Sequence, residues 1–115
     1  MNKIFDKEQA IAQSGGDPAL AAELFTMLIK ELPDLSEQLT RAHREMNFQT
    51  MWDHAHKIRG STAYCGVPAL QSTATALEDI IKQKDELVLG EAVAAVQAEI
   101  AKLVEGKDGI LAELS

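Results

Sequence analysis

Apolar residues recur along this chain every three or four positions, which is the spacing that places them on one face of an α-helix. Four segments carry such a stripe: 17–46, 49–64, 68–84 and a last one from about residue 89 to 105. The stripes consist of Leu20, Leu24, Met27, Leu28, Leu32, Leu35, Leu39 and Ala42; Phe48, Met51, Ala55, Ile58 and Thr62; Leu70, Ala74, Leu77 and Ile81; and Val93, Val96, Ile100 and Leu103. Strand-like alternation does not extend over any length, so the pattern predicts an all-α protein.

Capping and helix-breaking residues near the N-terminus predict a short helix followed by a long one. Asp6 is a suitable N-cap for a first helix, and the Ser-Gly-Gly run at 14–16 is a suitable stop. The Asp-Pro pair at 17–18 has the residue types preferred at the N-cap and the first turn of the next helix. Pro33 lies inside that helix and lacks an amide donor. The segment 17–46 is therefore either one bent helix or two helices in series.

The connections between the long segments are short. Residues 47–49 join the second and third segments, and the Gly-Val-Pro run at 66–68 ends the third and starts the fourth. Because long helices joined by short loops pack as antiparallel neighbours, we expect an up-down four-helix bundle with the short first helix covering one end. The whole chain, 1–115, is predicted to be one domain with its core at about 5–105. Residues 106–115 are predicted to be a weakly specified tail.

Charge and cysteine content exclude several classes of function. The net charge is −7, from 11 basic and 18 acidic residues, and this balance disfavours both nucleic acid and direct contact with anionic lipid. No stretch is apolar enough to span a bilayer or to serve as the core of a signal peptide, so the expected location is the cytoplasm. The single cysteine, Cys65, excludes an internal disulfide and a cysteine-based zinc cage, and we expect it to be a buried thiol.

The most distinctive short segment is 55–61, Ala-His-Lys-Ile-Arg-Gly-Ser, in the third helix. Helical spacing places His56, Arg59 and Gly60 on one face beside the core stripe, whereas Lys57 points to another side. A glycine inside a helix costs about 1 kcal/mol relative to alanine, which is tolerable if the missing side chain lets another molecule approach. The segment therefore predicts a histidine that exchanges a group with a second protein.

Three chemical roles are open to His56, besides that of an ordinary solvated histidine. A general base needs an orienting acid and a substrate cleft, and the sequence identifies neither. A metal ligand needs partners that converge on one point, but the nearby candidates are only Asp53 and His54, and His54 faces a different side of the helix. A nucleophile toward phosphorus needs only an accessible neutral imidazole and a nearby cation, which Arg59 supplies. We favour this last role, with His54 and His43 as ordinary surface histidines.

The segment 55–61 resembles the motif of the histidine-containing phosphotransfer (HPt) domain. That family has a histidine, a basic residue three positions later, a glycine four positions later and then a small residue. Its second glycine corresponds to Gly66, and its leucine-glutamate pair corresponds to Leu77 and Glu78. The run Tyr-Cys-Gly-Val-Pro at 64–68 is most similar to the C-terminal HPt domain of BarA/GacS-type hybrid sensor kinases.

The resemblance implies a phosphorelay carrier and assigns a role to each residue of the motif. His56 accepts a phosphoryl group from the aspartate of a hybrid kinase's receiver domain, on the nitrogen farther from the backbone. It then passes the group to the aspartate of a response regulator. Arg59 replaces the family's usual lysine, and with weaker help from Lys57 it steadies the phosphate charge. Gly60 leaves room for the receiver, and Ser61 hydrogen-bonds near the ring unless it is an ordinary surface serine.

The resemblance also implies what the domain lacks. It needs no cofactor or metal of its own, because the receiver domains supply the magnesium. Neither GxxxxGK[ST] nor a glycine-rich ATP lid occurs in the sequence, so the domain is not expected to phosphorylate itself from ATP. We expect a monomer, located on the cytoplasmic side as the C-terminal part of an inner-membrane sensor kinase.

Trp52 is expected at the edge of the core rather than in a docking patch.

Two other classes of function stay open. The first is a helical interaction module that docks a receiver or another partner without carrying phosphate. The absence of phosphoryl transfer would identify it. The second is a metal-dependent helical-bundle enzyme, which requires carboxylate-histidine pairs such as ExxH that the sequence does not contain.

Overall fold

The computed structural model describes residues 3–115, and this part of the chain folds into helices without strands. The helices are α1 (Lys7–Gln13), α2 (Pro18–Arg44), α3 (Phe48–Thr62), α4 (Pro68–Gln83), α5 (Glu86–Glu105) and α6 (Lys107–Leu114). Helices α2 to α5 form an up-down bundle in which α2 contacts α3 and α5, and α4 contacts the same two helices. The bundle is 42 × 21 × 21 Å, and the 27 residues of α2 span nearly its whole length, because an α-helix rises about 1.5 Å per residue. The predicted all-α bundle with a short N-terminal helix is confirmed.

The core of the bundle consists of the apolar stripes of its four long helices, with one change in α2. Phe25, which the predicted stripe omits, is completely buried. Leu20 and Met27 belong to the predicted stripe, but they are 39% and 60% exposed. The prediction was wrong there because α2 has leucine and methionine on both sides of its buried face, so that apolar spacing alone did not fix its rotation. The largest fully buried side chains are Phe25, Leu32, Leu39, Met51, Ile58, Leu70, Leu77, Leu89 and Leu103.

Pro33 does not divide α2, which is one continuous helix. Its ring lies on the exposed side of the helix. A proline in a helix removes the hydrogen bond to the carbonyl four residues earlier, and on the solvent side that carbonyl can be hydrated. Of the two possibilities left open by the sequence, the structure therefore has the single helix.

Two predictions at the C-terminal end were wrong. Helix α5 begins at Glu86 and not near residue 89, because Asp85 is its N-cap and accepts a hydrogen bond of 3.2 Å from the amide of Leu87. Residues 107–114 are not a weakly specified tail. They form α6, which packs against α2 and α5 and buries Ile110 and Leu114. These two apolar residues are four positions apart, which is sufficient for a short helix to dock on a core that already exists.

Gly66, in the connection between α3 and α4, is the point on which α1 rests. Its backbone has φ +63°, and its carbonyl accepts a hydrogen bond of 2.8 Å from the amide of Asp6, the N-cap of α1. A Cβ atom at this position would lie 2.6 Å from both the Asp6 carbonyl oxygen and the Ala10 Cβ atom. Glycine is therefore required at position 66 for two reasons: the backbone is left-handed there, and α1 approaches too closely to leave room for a Cβ atom.

We expect Gly66→Ala to destabilise the domain by about 2–4 kcal/mol, because a left-handed alanine costs about 1–2 kcal/mol and the overlap with α1 adds to it. Gly60→Ala is the matched control. Its Cβ would meet nothing within 4 Å, and alanine gains about 1 kcal/mol over glycine in a helix. Urea unfolding followed by circular dichroism measures both variants. Equal stability of the Gly66→Ala variant and the wild type would show that α1 does not rest on Gly66.

Candidate functional site

Helix α3 projects His56 outward from the bundle. Its N-cap is Asn47, whose side chain accepts a hydrogen bond of 3.1 Å from the amide of Thr50. Ala55 and Ile58 are completely buried in the core, which fixes the rotation of the helix about its axis. His56 lies about 100° around the helix from Ala55, and its side chain is 56% exposed. The predicted outward position of this imidazole is what the structure shows.

A buried carboxylate on the neighbouring helix binds the imidazole. Glu78 of α4 has a side chain only 4% exposed, and its Oε1 lies 3.0 Å from Nδ1 of His56. Its other oxygen, Oε2, accepts a hydrogen bond of 2.7 Å from Nη1 of Arg59. A buried carboxylate is costly unless it is paired and hydrogen-bonded, and here both oxygens have a basic partner. The three side chains form a cluster, which we call the His56–Glu78–Arg59 triad.

The triad determines which nitrogen of His56 is available for chemistry. A carboxylate paired with arginine only accepts hydrogen bonds, so Nδ1 of His56 must carry the proton that it donates to Glu78. A neutral imidazole has one N–H, and its other nitrogen, Nε2, therefore has the free electron pair. The tautomer of the ring and the position of Nδ1 are thus set by the same contact. The site has the features of a nucleophile, with an orienting acid behind the ring.

Trp52 forms one wall of the site. Its indole stacks on the imidazole of His56, one helical turn away, with the ring centroids 4.6 Å apart and the planes within 10°. The indole is half-buried and packs against the bundle core. Its predicted position at the core edge is confirmed, but the stack on His56 was not predicted. The ammonium of Lys82 lies 5.9 Å from the indole centroid, within range of a cation–π interaction.

Gly60 opens the surface on the other side of His56. A shallow groove of about 180 Å³ lies between α2 and α3, and we call it the α2/α3 groove. Its lining residues are Leu24, Met27, Leu28, Glu31, Gly60, Ser61, Tyr64 and Cys65. Met27 and Tyr64, two of these lining residues, are 60% and 61% exposed. A Cβ at Gly60 would meet no atom of the described chain within 4 Å, so folding does not require glycine there.

Of the other predicted residues, Arg59 belongs to the triad and the rest lie around it. Arg59 is half-exposed and binds Glu78, so its first role is to compensate the buried carboxylate. Lys57 is exposed on another side of α3, as predicted. Ser61 donates its hydroxyl to Oε2 of Glu31 on α2, at 3.4 Å, and the ring is held by Glu78 instead. His54 is half-buried in a separate surface groove, and His43 is half-buried near Gly90.

Sequence reasoning identified no orienting acid for His56, so it missed the role of Glu78. The signal was present in α4, whose apolar stripe includes Ala74 and Ile81. Glu78 is four residues after Ala74, so it falls on the same buried face. A carboxylate on a buried face requires a partner. Which residues of α3 pair with Glu78 depends on how α3 and α4 pack against each other, and the sequence pattern does not show this.

Cys65 lies beside the α2/α3 groove and is 4% exposed, as predicted for a buried thiol. Its Sγ approaches the carbonyl oxygens of Ser61 and Leu24 at 3.5 and 3.7 Å. Burial, and secondly the negative charge of Glu31, raises the pKa of this thiol to about 11. The groove therefore presents no reactive thiolate at neutral pH.

We expect iodoacetamide to modify the folded protein very slowly at pH 8, because the thiolate is the reactive form. The rate should increase as the pH rises from about 9 toward about 11. A folded-state pKa above the ordinary value means that the protonated thiol stabilises the fold below pH 9, and that this contribution is lost as the pH rises through about 11. Mass spectrometry follows the alkylation, with urea-unfolded protein as the fast control. Rapid alkylation of the folded protein at pH 8 would contradict the burial of Cys65.

The fold and the site together define a class of protein. A four-helix bundle that presents one oriented histidine, backed by a buried carboxylate on the next helix, has the architecture of a histidine phosphotransfer module. Residues 23–106 match the family described as the Hpt domain. The chain belongs to this family, as the resemblance of its motif implied.

The chain is similar in sequence to parts of two sensor kinases. It is 31% identical over 84 residues to the sensor histidine kinase GacS of Pseudomonas protegens, covering 72% of this chain and 9% of that kinase. It is 25% identical over 114 residues to the histidine-protein kinase BarA of Escherichia coli, covering 99% of this chain and 12% of that protein. The chain thus spans about a tenth of the length of these relatives.

A solved structure has the same fold. The crystal structure of the HPT domain from a sensor hybrid histidine kinase of Shewanella aligns with a TM-score of 0.86 at 25% identity, covering 97% of each chain. Among the helices of residues 3–115, none is long and apolar enough to cross a membrane.

Proposed function

We propose that this domain carries a phosphoryl group on Nε2 of His56 between two receiver domains of a multistep phosphorelay. The donor is the aspartyl phosphate of a hybrid kinase's receiver, and the acceptor is the aspartate of a response regulator. The observation that carries the proposal is the contact between Nδ1 of His56 and Glu78, which leaves Nε2 free on an exposed side chain. The similarity to GacS and BarA supports a place within a hybrid sensor kinase on the cytoplasmic side.

The transfer step requires little from this domain beyond position and charge. The electron pair of Nε2 forms the bond to phosphorus while the bond between phosphorus and the acyl oxygen breaks, and the aspartate carboxylate leaves. The proton on Nδ1 stays in its hydrogen bond with Glu78. Because the ring becomes positive as the new bond forms, the adjacent carboxylate of Glu78 stabilises the product and the transition state that leads to it. Magnesium belongs to the receiver in this scheme.

The α2/α3 groove supports docking of the receiver over His56. Its exposed apolar side chains, Met27 and Tyr64, lie beside Gly60, one turn of α3 beyond the imidazole. Exposed apolar side chains next to a reactive group are typical of a protein–protein interface. Gly60 lets the partner backbone approach the helix, and the half-exposed guanidinium of Arg59 lies close enough to offset the charge of the incoming phosphoryl group.

A transfer experiment tests this proposal. The receiver of a GacS- or BarA-type kinase is labelled by its own kinase domain with radioactive ATP, purified and mixed with this domain. We expect label on this chain that is labile in acid and stable in base, followed by its transfer to a response regulator receiver. Binding without any label on this chain would instead identify a docking module that carries no phosphate.

A substitution at Gly60 tests access. We expect Gly60→Gln to slow transfer about 10-fold or more, because its side chain occupies the space that the partner requires. Gly60→Ala is the control, since it adds a single methyl group to open space and should change the rate much less. Both rates are measured by rapid quench with the labelled receiver, and circular dichroism confirms that the variants are helical. A wild-type rate in Gly60→Gln would show that the glycine does not serve access.

A further inference from the structure

Glu78 fixes only one point of the His56 ring. The side chain turns about χ1 and χ2, and a single hydrogen bond at Nδ1 restrains these two angles together without fixing each of them. Such a rotation would sweep Nε2 through an arc, and in-line transfer tolerates little misalignment of the attacking atom. A second contact is needed to fix the plane of the ring.

The indole of Trp52 is placed to supply that second contact. The two ring centroids are 4.6 Å apart and the planes lie within 10°, so a tilt of the imidazole out of its plane would disrupt the stack. Trp52 is held from behind by the bundle core. It is also four residues before His56 on α3, which keeps the two rings in register along one rigid helix.

The indole occupies this position despite an unfavourable contact of its own. Nε1 of Trp52 is buried and finds no acceptor within residues 3–115. Buried donors without a partner are destabilising, so the placement of this ring is not explained by hydrogen bonding.

We propose that Trp52 is a positioning residue for phosphoryl transfer, whose indole plane holds the His56 ring so that Nε2 points along the path of attack. Together, Glu78 fixes one atom of the ring and Trp52 fixes its plane. This inference rests on the proposed function. Trp52 forms no bond to the phosphoryl group and acts only through His56.

Single-turnover transfer from the labelled receiver separates positioning from docking. We expect Trp52→Leu to lower the transfer rate within the complex about 3- to 10-fold, which is the range of one aromatic pair, while the dissociation constant for the receiver stays unchanged. Trp52→Phe keeps a flat ring and should restore most of the rate. Phe48→Leu is the matched control. Phe48 is half-buried and lines a surface groove together with Trp52, but the ring that stacks on His56 is that of Trp52.

Three results would overturn the inference. They are a wild-type rate in Trp52→Leu, a loss confined to the dissociation constant, and a rate in Trp52→Phe as low as that in Trp52→Leu. The stability of each variant, measured by urea unfolding, separates these effects from misfolding. Trp52→Phe removes the unpaired N–H, so we expect its stability to fall less than its loss of buried ring area alone would cause.

A second measurement needs no receiver, so it distinguishes failure of this inference from failure of the proposed function. In the wild type, NMR should show contacts between the two rings and a slowly exchanging proton on Nδ1 of His56. Trp52→Leu should speed the exchange of that proton about 3- to 10-fold, and Phe48→Leu should leave it unchanged. Unchanged exchange in Trp52→Leu would overturn the inference even if transfer occurs. If Trp52→Leu speeds the exchange of the Nδ1 proton but the wild type accepts no phosphoryl group, only the proposed function is rejected.

Discussion

His56→Gln accepts no detectable phosphoryl group from a phosphorylated receiver, if Nε2 of His56 is the attacking atom. Glutamine is close in size and polar, but its amide nitrogen has no free electron pair for attack on phosphorus. The loss is therefore expected to be complete rather than partial. Because the substitution removes the hydrogen bond from Nδ1 to the buried carboxylate of Glu78, it should also lower the free energy of unfolding by about 1.5–3 kcal/mol. The measurement is the label on this chain after mixing with the labelled receiver.

His54→Gln is the matched control for that loss. It lies on the same helix two residues earlier, and its half-buried side chain lines a groove with Asp34 and Arg41 of α2, away from the triad. We expect transfer to this variant at the wild-type rate. If label persisted in His56→Gln and disappeared in His54→Gln, the site would be assigned to the wrong histidine.

Glu78→Gln has the second largest expected effect. The amide oxygen can still accept the proton of Nδ1, but the negative charge that offsets the positive ring is gone. In addition, the amide NH₂ would face the guanidinium of Arg59, so that two donors meet where an ion pair now exists. A hydrogen bond to a charged group is worth about 1.5–3 kcal/mol, so we expect transfer to slow about 10- to 100-fold. The transfer rate within the complex and the dissociation constant for the receiver are both measured. We expect the rate to fall and the dissociation constant to stay nearly the same.

Asp79→Asn is the control for the charge change. Asp79 is the next residue of α4 and is exposed, so the substitution removes one negative charge from the same surface without touching His56. We expect a rate within about twofold of the wild type, because exposed charges interact weakly in water. A rate for Glu78→Gln equal to that of Asp79→Asn would show that Glu78 does not assist the transfer.

The parts of the fold predicted correctly from sequence are those determined locally. Asp6 and Asp17 both serve as N-caps, because capping depends only on a side chain and the amides two or three residues later. The stripe of α3 also predicted its buried face, since Met51, Ala55 and Ile58 leave one face of that helix for the core. The position of His56 at the edge of this face follows from the same geometry.

What the sequence did not predict depends on contacts between helices. Glu78 and His56 are 22 residues apart, and only the side-by-side packing of α3 and α4 brings them together. Whether Pro33 divides a helix depends on which side of α2 faces solvent. Leu114 is buried because α6 packs against α2, and it lies there in a small apolar cluster with Ala10 of α1 and Ala21 of α2. In each of these cases the local sequence pattern allowed more than one structure, and the packing between helices determined which one forms.

The most direct test of the central claim is the identity of the phosphohistidine isomer. After transfer from the labelled receiver, the domain is examined by NMR of phosphorus and of the imidazole nitrogens, under basic conditions that preserve the bond. The contact of Nδ1 with Glu78 predicts that the phosphoryl group is on Nε2 of His56 alone. A phosphoryl group on Nδ1, or on any other residue, would contradict the account.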